Sequence, residues 1–456
     1  FVALSPSNIP RLTEVGVDAN VLAFAVLVSV LTSLLFGWIP ALRSSRPDLS
    51  RGLKEGARGT GGSARQERLR NVLVIAETAV AFVLVVGAGL LIHSFMRLQQ
   101  VDKGFDPEQV QVLSVTSPPA ESSAELPGFY GTVTDRIAAL PGVTAVGITA
   151  NLPLSGNYAM RGIEAVDDRP DYRHENGVYY QHVTAGFFEA MGIPLRRGRL
   201  FDPADRPGSQ PVAIVNTTMA RDLFGADNPL GRRFKAFDGY EATWFEVIGV
   251  VGDVRTLDLA RAGMPEMYLA FDQDPHGRPM DIVARTAGDE RSTLPAMRAL
   301  WHSLHPDVPV RRSVHMEELV ASSIAAPRFN TLVLGAFAGV ALILALVGIY
   351  GALAYSVAQR AHELGVRMAL GATGGSVLGM ILRRGMTLVL IGVALGLGGA
   401  LLATRVLESL IFGISPTDGV TLALGVATVV VAALVASSIP AWRATRLDPL
   451  TILRSE

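Results

Sequence analysis

NVLVIAETAVAFVLVVGAGLLIHSFMRL, Asn71 to Leu98, carries a single ionisable group, Glu77, before His93 is reached. The portion from 72 to 92 is long and apolar enough to cross a hydrocarbon core of about 30 Å, which takes roughly 18 or more such residues. The helical pattern continues past it, because Leu91, Phe95 and Leu98 extend one face at i, i+4 and i+7. Thirty helical residues reach about 45 Å, so the spacing predicts a helical stalk beyond the membrane. Downstream, residues 102 to 325 have ordinary polarity, with alternating strand and helix patterns. Three further apolar spans follow, near 331–355, 386–404 and 420–439, and a fifth lies upstream near 21–39. A mean hydropathy of +0.35 with 18% charged residues fits this mixture of membrane and soluble parts.

Basic residues orient the spans, because the cytoplasmic side keeps the excess of Lys and Arg. The loop from 40 to 71 holds Arg43, Arg46, Arg51, Lys54, Arg58, Arg65, Arg68 and Arg70 against Asp48, Glu55 and Glu67, and is expected to be cytoplasmic. Counting from there places the large domain outside, the 356–385 loop inside, the 405–419 loop outside and the tail inside. The net charge of −1 sums over both sides and decides nothing. With no cysteine, disulfides and thiol chemistry are excluded.

IPALRSSRPD (Ile39 to Asp48) reappears as IPAWRATRLD (Ile439 to Asp448), and both copies close an apolar run. The agreement continues upstream through Asp18 and Asp418, Leu22 and Leu422, and Val26 and Val426. This is a repeated module. The chain is expected to open on the tail of a preceding repeat (1–55) and to be a fragment of a longer duplicated protein. A cytoplasmic linker (56–71) is expected next, then a span with its stalk (72–101), the outer domain (102–325) and a three-span region (326–456). GARGTGGSARQE (Gly56 to Glu67) reads as flexible linker. It mimics a phosphate loop but lacks the Lys required at Gly62 and a preceding strand. On the return side, EELVASSIAAPRF is expected to form a second stalk, broken or kinked at Pro327.

The outer domain begins and ends on β-α-β patterns. Val110 to Val115, Leu126 to Leu140 and Val143 to Thr149 make one, and Asp281 to Arg285, Ser292 to Leu304 and Val308 to Val314 the other. The middle contains strand-like VAIVN (Val212 to Asn216), a helix through TTMARDLFG and strand-like FEVIGVVGDV (Phe245 to Val254). A split α/β domain with an insertion is expected.

QRAHELGVRMALGAT (Gln359 to Thr373) predicts a short helix on the inner side. Arg360 and Glu363 are spaced i, i+3, Glu363 and Arg367 i, i+4, and Leu364 and Met368 share another face. Such a helix docks into a partner's groove or lies on the lipid surface, and spacing alone favours the lipid surface. Glu77 reads as a structural polar contact rather than a proton relay, since no other span has an acid in its interior. Gly392, Gly396, Gly398 and Gly399, and Gly335, Gly339, Gly348 and Gly351, offer small faces for helix packing. His302 and His305 share a helix face without a third ligand, too few for zinc. No nucleophile with a base emerges, so neither catalysis nor a cofactor is expected.

Taken together, these features resemble the MacB/FtsX-type permeases of ABC systems, and the duplicated orphan permeases described from Acidobacteria most of all. The most specific pieces are QRAHELGVRMALGAT, the Asn71–Leu98 span, VAIVNTTMARDLFGADNPLGRRF and the terminal PAWRATRLDPLTILR. The resemblance implies an α-helical membrane protein with a large extracytoplasmic α+β domain, a four-span FtsX-like module plus one extra N-terminal span. It implies a MacB-like periplasmic core with porter-like halves and a small α/β insertion. It places a coupling helix at Arg360 to Leu370, with Arg360, Glu363, Leu364, Arg367 and Met368 meeting a partner. That partner would be a cytoplasmic ABC ATPase on a separate chain, since no ATPase domain is present here. A second permease module, a periplasmic adaptor and the lipid bilayer are the other partners implied, with no nucleic acid. The implied function is mechanotransmission or efflux at the bacterial cytoplasmic (inner) membrane. The competing readings are a membrane-anchored ligand-binding receptor, or a regulator of an extracytoplasmic enzyme without transport.

Overall fold

The computed structural model describes residues 61–116, 125–237, 242–275, 279–288, 290–407, 411–415 and 417–445, with eight isolated helical residues between 19 and 30. The expected tail of a preceding repeat, most of the 21–39 span and both IP…D copies beyond Thr445 or before Gly61 lie outside the described residues, as does the linker up to residue 60. The chain divides into two units, 1–97 with 326–456, and 98–325.

The first described helix, α1 (Gly61–Gln99), runs 39 residues, about 58 Å at 1.5 Å per residue. It corrects the linker reading, since residues 61–71 are helical rather than flexible. The Gly pair sits at the very end of the helix, and the residues after it (Ala64, Arg65, Gln66, Glu67) are strong helix formers that outweigh it.

Unit 98–325 is α+β. Its elements are β1 (Val110–Val115), α2 (Leu126–Ala138), β2 (Val143–Thr149), β3 (Met160–Val166), β4 (His174–Val183), α3 (Gly186–Met191), β5 (Leu195–Gly198), β6 (Val212–Asn216) and α4 (Thr217–Phe224). Then come β7 (Arg233–Phe237), β8 (Ala242–Val251), β9 (Glu266–Ala270), β10 (Met280–Thr286), α5 (Glu290–Leu304), β11 (Val310–His315) and α6 (Met316–Ser323). One lobe has strand order β11-β1-β10-β2, all antiparallel. The two β-α-β patterns at the ends of the domain are therefore interlocked: β10 lies between β1 and β2, and β1 between β10 and β11. These are split β-α-β units. Helices α2 and α5 cover one face, burying Tyr130, Val133, Ile137, Met297 and Trp301 against Leu113, Ile148 and Ile282. The short α3 approaches β2 closely, which only glycine permits: a Cβ on Gly147 would collide with the backbone of Phe187.

The inserted lobe is a closed ring, β4-β3-β7-β8-β6-β9, in which β9 returns to pair with β4. Most pairs are antiparallel, while β6 with β8 and β4 with β9 run parallel. Its core contains Phe234, Phe245, Val247, Met267 and Leu269, with Met219 and Leu223 of α4 packed into it. Asn216 caps α4 by accepting from Met219 N at 2.8 Å. The two lobes share a single β2–β4 pair, Thr149 with Val183.

The other unit gathers α1 with α7 (Ala325–Gln359), α8 (Ala361–Ala369), α9 (Gly374–Leu407) and α10 (Gly419–Thr445). Helices α1, α7, α9 and α10 are each long and apolar enough to cross a membrane. Their common core holds Val74, Phe82, Val86, Leu353, Val389, Val393 and Val429, while Phe337, Leu344, Val347, Leu402 and Val435 face outward. Helices apolar on every side need a lipid solvent. Pro327 does not kink α7. The break falls at Ile324, and Pro327 occupies the first turn, where its missing N–H costs nothing.

Half of the glycine expectation is realised. A Cβ on Gly392 would stand 2.7 Å from Thr78 Cβ, and one on Gly396 2.8 Å from Ala79 O, so α9 lies against α1 along these glycines. Gly335, Gly339, Gly351 and Gly398 face open space instead, while Gly348 makes room for the Glu77 carboxylate. At the opposite end from α8, Asp418 caps α10, accepting from Thr421 N and Oγ1 at 2.9 and 2.6 Å, and those bonds hold its carboxyl below the usual range. Ser94 Oγ accepts from Phe412 N at 2.7 Å and ties that loop to α1.

Candidate functional site

The loop between α7 and α9 folds as the sequence spacing predicts, with α8 flanked by Arg360 and Leu370. Arg360 departs from helical geometry (φ −104°), and Gly371 adopts φ 97°, which only glycine holds without strain. Ala372 N donates to Arg367 O at 3.0 Å and closes the C-terminal end. The five residues singled out in the sequence divide into two groups. Leu364 is 3% exposed and shares a core cluster with Val377, Ile381, Ala441 and Ala444, and Met368 packs against the same cluster. Glu363 and Arg367 remain at the surface, joined at 2.5 Å. Beside them stand Val366 and Leu370, the latter 82% exposed. Leu364 is thus buried and Met368 partly buried against the helical core, while Val366 and Leu370, which helical spacing did not single out, are exposed.

Arg360 does not pair with Glu363. Its position at the bend directs it to Glu67 of α1, with Nη2 at 3.7 Å from Oε1. Arg384 of α9 also pairs with Glu67. One carboxylate thus links α1, the start of α8 and α9. Next to it Arg70 stacks over the Tyr355 ring at 3.7 Å, and Gln359 Nε2 donates to Tyr355 Oη at 2.9 Å. The sequence reading assigned Glu67 to a flexible linker. The sign that would have found it is an acid one helical turn ahead of a membrane span, among arginines.

The outer domain buries a second polar group of residues. Glu266 on β9, 1% exposed, accepts from Gln181 Nε2 at 2.5 Å, Thr256 Oγ1 at 3.0 Å and Tyr268 Oη at 3.2 Å. Gln181 in turn accepts from Thr149 Oγ1 at 2.8 Å, so the chain of bonds crosses the joint between the lobes. Burial pushes the Glu266 carboxyl up to about 7, partly offset by its three donors. In the same lobe the buried His182 reaches the half-exposed Asp274, with Nε2 2.8 Å from Oδ2, and this bond, with Arg161 nearby, holds Asp274 at about 2. His305 packs its ring on Phe129 at 3.9 Å, and burial lowers its pKa. Among the described residues no group of three or more His, Asp and Glu side chains is arranged to hold a metal.

Two family profiles match the chain in tandem. Residues 71–293 match the MacB-like periplasmic core domain and residues 335–449 the FtsX-like permease C-terminal domain. The chain belongs to the MacB/FtsX-type ABC transporter permeases. Among relatives of this permease family, it is 24% identical over 428 residues to the uncharacterized ABC transporter permease YknZ of Bacillus subtilis, covering 89% of this chain and 100% of that one. It is 26% identical to the macrolide export ATP-binding/permease protein MacB of Rhodospirillum rubrum, covering 88% of this chain and 60% of that protein. It is 27% identical to the pyoverdine export ATP-binding/permease protein PvdT of Pseudomonas syringae pv. tomato, covering 58% and 40%. The permease thus spans the length of YknZ but less than two thirds of the two export proteins. A solved periplasmic region of MacB from Actinobacillus actinomycetemcomitans aligns at a TM-score of 0.33 and 15% identity, over 49% of this chain and 95% of that one. The permease is a membrane protein with a large extracytoplasmic domain, and its relatives are permease components of ABC transporters.

Proposed function

We propose that this permease works by mechanotransmission in an export system of the bacterial cytoplasmic membrane, and that α8 is where a separate ABC ATPase pushes on it. The observation that carries this reading is the division of α8. Leu364 and Met368 fix it to the helical core, while Val366 and Leu370 stand exposed beside the Glu363–Arg367 pair. A helix lying on lipid would turn its large apolar side chains toward the bilayer. Here one apolar face is already buried in the protein, and a second, smaller one points away from it, the arrangement a docking helix needs. Because Glu67 ties α1 and α9 to the start of α8, force applied to α8 passes to those helices together. The names of MacB and PvdT, each an ATP-binding/permease export protein, support the reading of efflux. A second permease module, in the same longer chain or as a dimer, and a periplasmic adaptor complete the proposed assembly.

The test is co-purification from membranes. Leu370→Asp should lose most of the ABC ATPase that accompanies the parent, while accumulating normally, because an exposed substitution costs within about 0.5 kcal/mol. Leu364→Ala should instead lower accumulation. The reading fails if no ABC ATPase accompanies the parent, or if Leu370→Asp combined with Val366→Asp retains it in full.

A further inference from the structure

The outer domain holds an open groove of about 850 Å³, bounded by the segment after α1, by β5, by α4 and by the end of β8. Three arginines line it, Arg196 and Arg197 of β5 and Arg221 of α4. In a regular strand, neighbouring side chains point to opposite faces. Here the register between β5 and β8 shifts between Leu195 and Arg197, and this bulge lets two consecutive arginines serve one groove. Arg196 Nε stands 4.0 Å from the place a Cβ on Gly252 would occupy, so this arginine runs beside the Gly252 backbone that also lines the groove.

Among the described residues none of the three guanidinium groups has a carboxylate partner. Four aspartates also line the groove, and each has another partner. Asp253 accepts from Thr218 N and Oγ1 at 2.8 and 2.9 Å. Asp106 meets Arg285 at 3.0 Å, Asp227 meets Arg232 at 3.4 Å, and Asp102 accepts from Gly104 N at 2.9 Å. Arginines left without counter-ions in a concave site recognise oxyanions, since the planar fork matches two oxygens at once. The volume suits a small organic molecule better than a single inorganic ion, because ligand sites run to roughly 300–1,000 Å³.

We infer that this groove binds a small soluble anion bearing two or more carboxylate or phosphate groups, held by Arg196, Arg197 and Arg221. The inference is independent of ATPase coupling through α8. It is tested by calorimetric titration of the whole chain in detergent micelles with citrate and, separately, with pyrophosphate. At least one should bind saturably. Binding of citrate alone assigns carboxylates, and of pyrophosphate alone, phosphates. Arg197→Ala and Arg221→Ala should each weaken it about tenfold or more, and Arg197→Lys, which keeps the charge but loses the fork, by less. Arg173→Ala, an exposed arginine of the same unit outside the groove, should leave it unchanged. Failure of both anions to bind, binding undiminished in Arg197→Ala and Arg221→Ala, or equal loss in Arg173→Ala overturns the inference.

Discussion

The outer domain and the helical unit of this permease are held together by opposite means. Of the largest fully buried side chains, Trp301, Tyr130, Tyr268, Phe187, Phe188, Phe234 and Phe271 all belong to the outer domain, and Phe82 and Leu90 to the helices. In water, burying a large apolar ring is itself the driving force. Between membrane helices it is not, because lipid chains are as apolar as the side chains they would replace. Helices there gain by close approach through small residues and by polar contacts. The α9 glycines against Thr78 and Ala79, the Glu67 contacts at one end and the approach of His93 of α1 to Asp418 at the other follow that rule. The outer domain should therefore break when something is removed, and the helical unit when something is added.

The largest effect is expected from Trp301→Ala. This side chain is fully buried between α5 and the sheet, and its Nε1 donates to Val308 O at 2.8 Å. Its loss should cost about 3–5 kcal/mol, read as a fall in the melting temperature of the outer domain. A loss below about 1 kcal/mol would mean the lobe does not depend on its aromatic core.

Next comes Gly396→Leu. Its Cβ would stand 2.8 Å from Ala79 O and 3.0 Å from the Phe82 ring, so α1 and α9 must separate. A cost toward the upper end of about 1–3 kcal/mol is expected, seen as reduced accumulation of folded protein. Gly398→Leu, with nothing within 4 Å, should be tolerated. Equal behaviour of the two variants would remove the α1–α9 contact from the account.

The smallest effect sharpens the comparison, because it concerns a polar group within the aromatic-rich domain. Glu266 has a carboxyl raised to about 7 from an ordinary 4.5. Between those values the unfolded chain has released a proton that the folded domain still holds. The contribution is fully present below about 4.5 and is lost as the pH rises through about 7. Glu266→Gln abolishes this titration, so from pH 5 to pH 8 the parent should lose on the order of 2 kcal/mol relative to the variant. Parallel melting profiles for the two proteins across that range would show that burial does not raise this carboxyl.

The sequence by itself determined whatever depends on neighbours along the chain. The four described spans, the short helix between Arg360 and Leu370, and the strands at 110–115, 143–149 and 212–216 all stand within a few residues of where periodicity puts them. Strands β3, β4, β5, β7 and β9 were not legible. They are short or polar, like Leu195–Gly198, or broken by a glycine such as Gly177 at φ 69°, and they gain their stability from partners far away in sequence. Tertiary structure alone decided the strand order that slots β10 between β1 and β2, and the closure of the inserted ring by β9 on β4. It likewise decided that Leu364 faces inward while Leu370 faces outward, that Glu67 answers to Arg360 and Arg384, and that Arg221 shares a groove with Arg196 and Arg197. Periodicity states which face of an element is apolar. What that face meets is set by contacts between residues far apart in the chain, 317 and 318 positions in two of the bonds between helices and loops, and no local pattern encodes them.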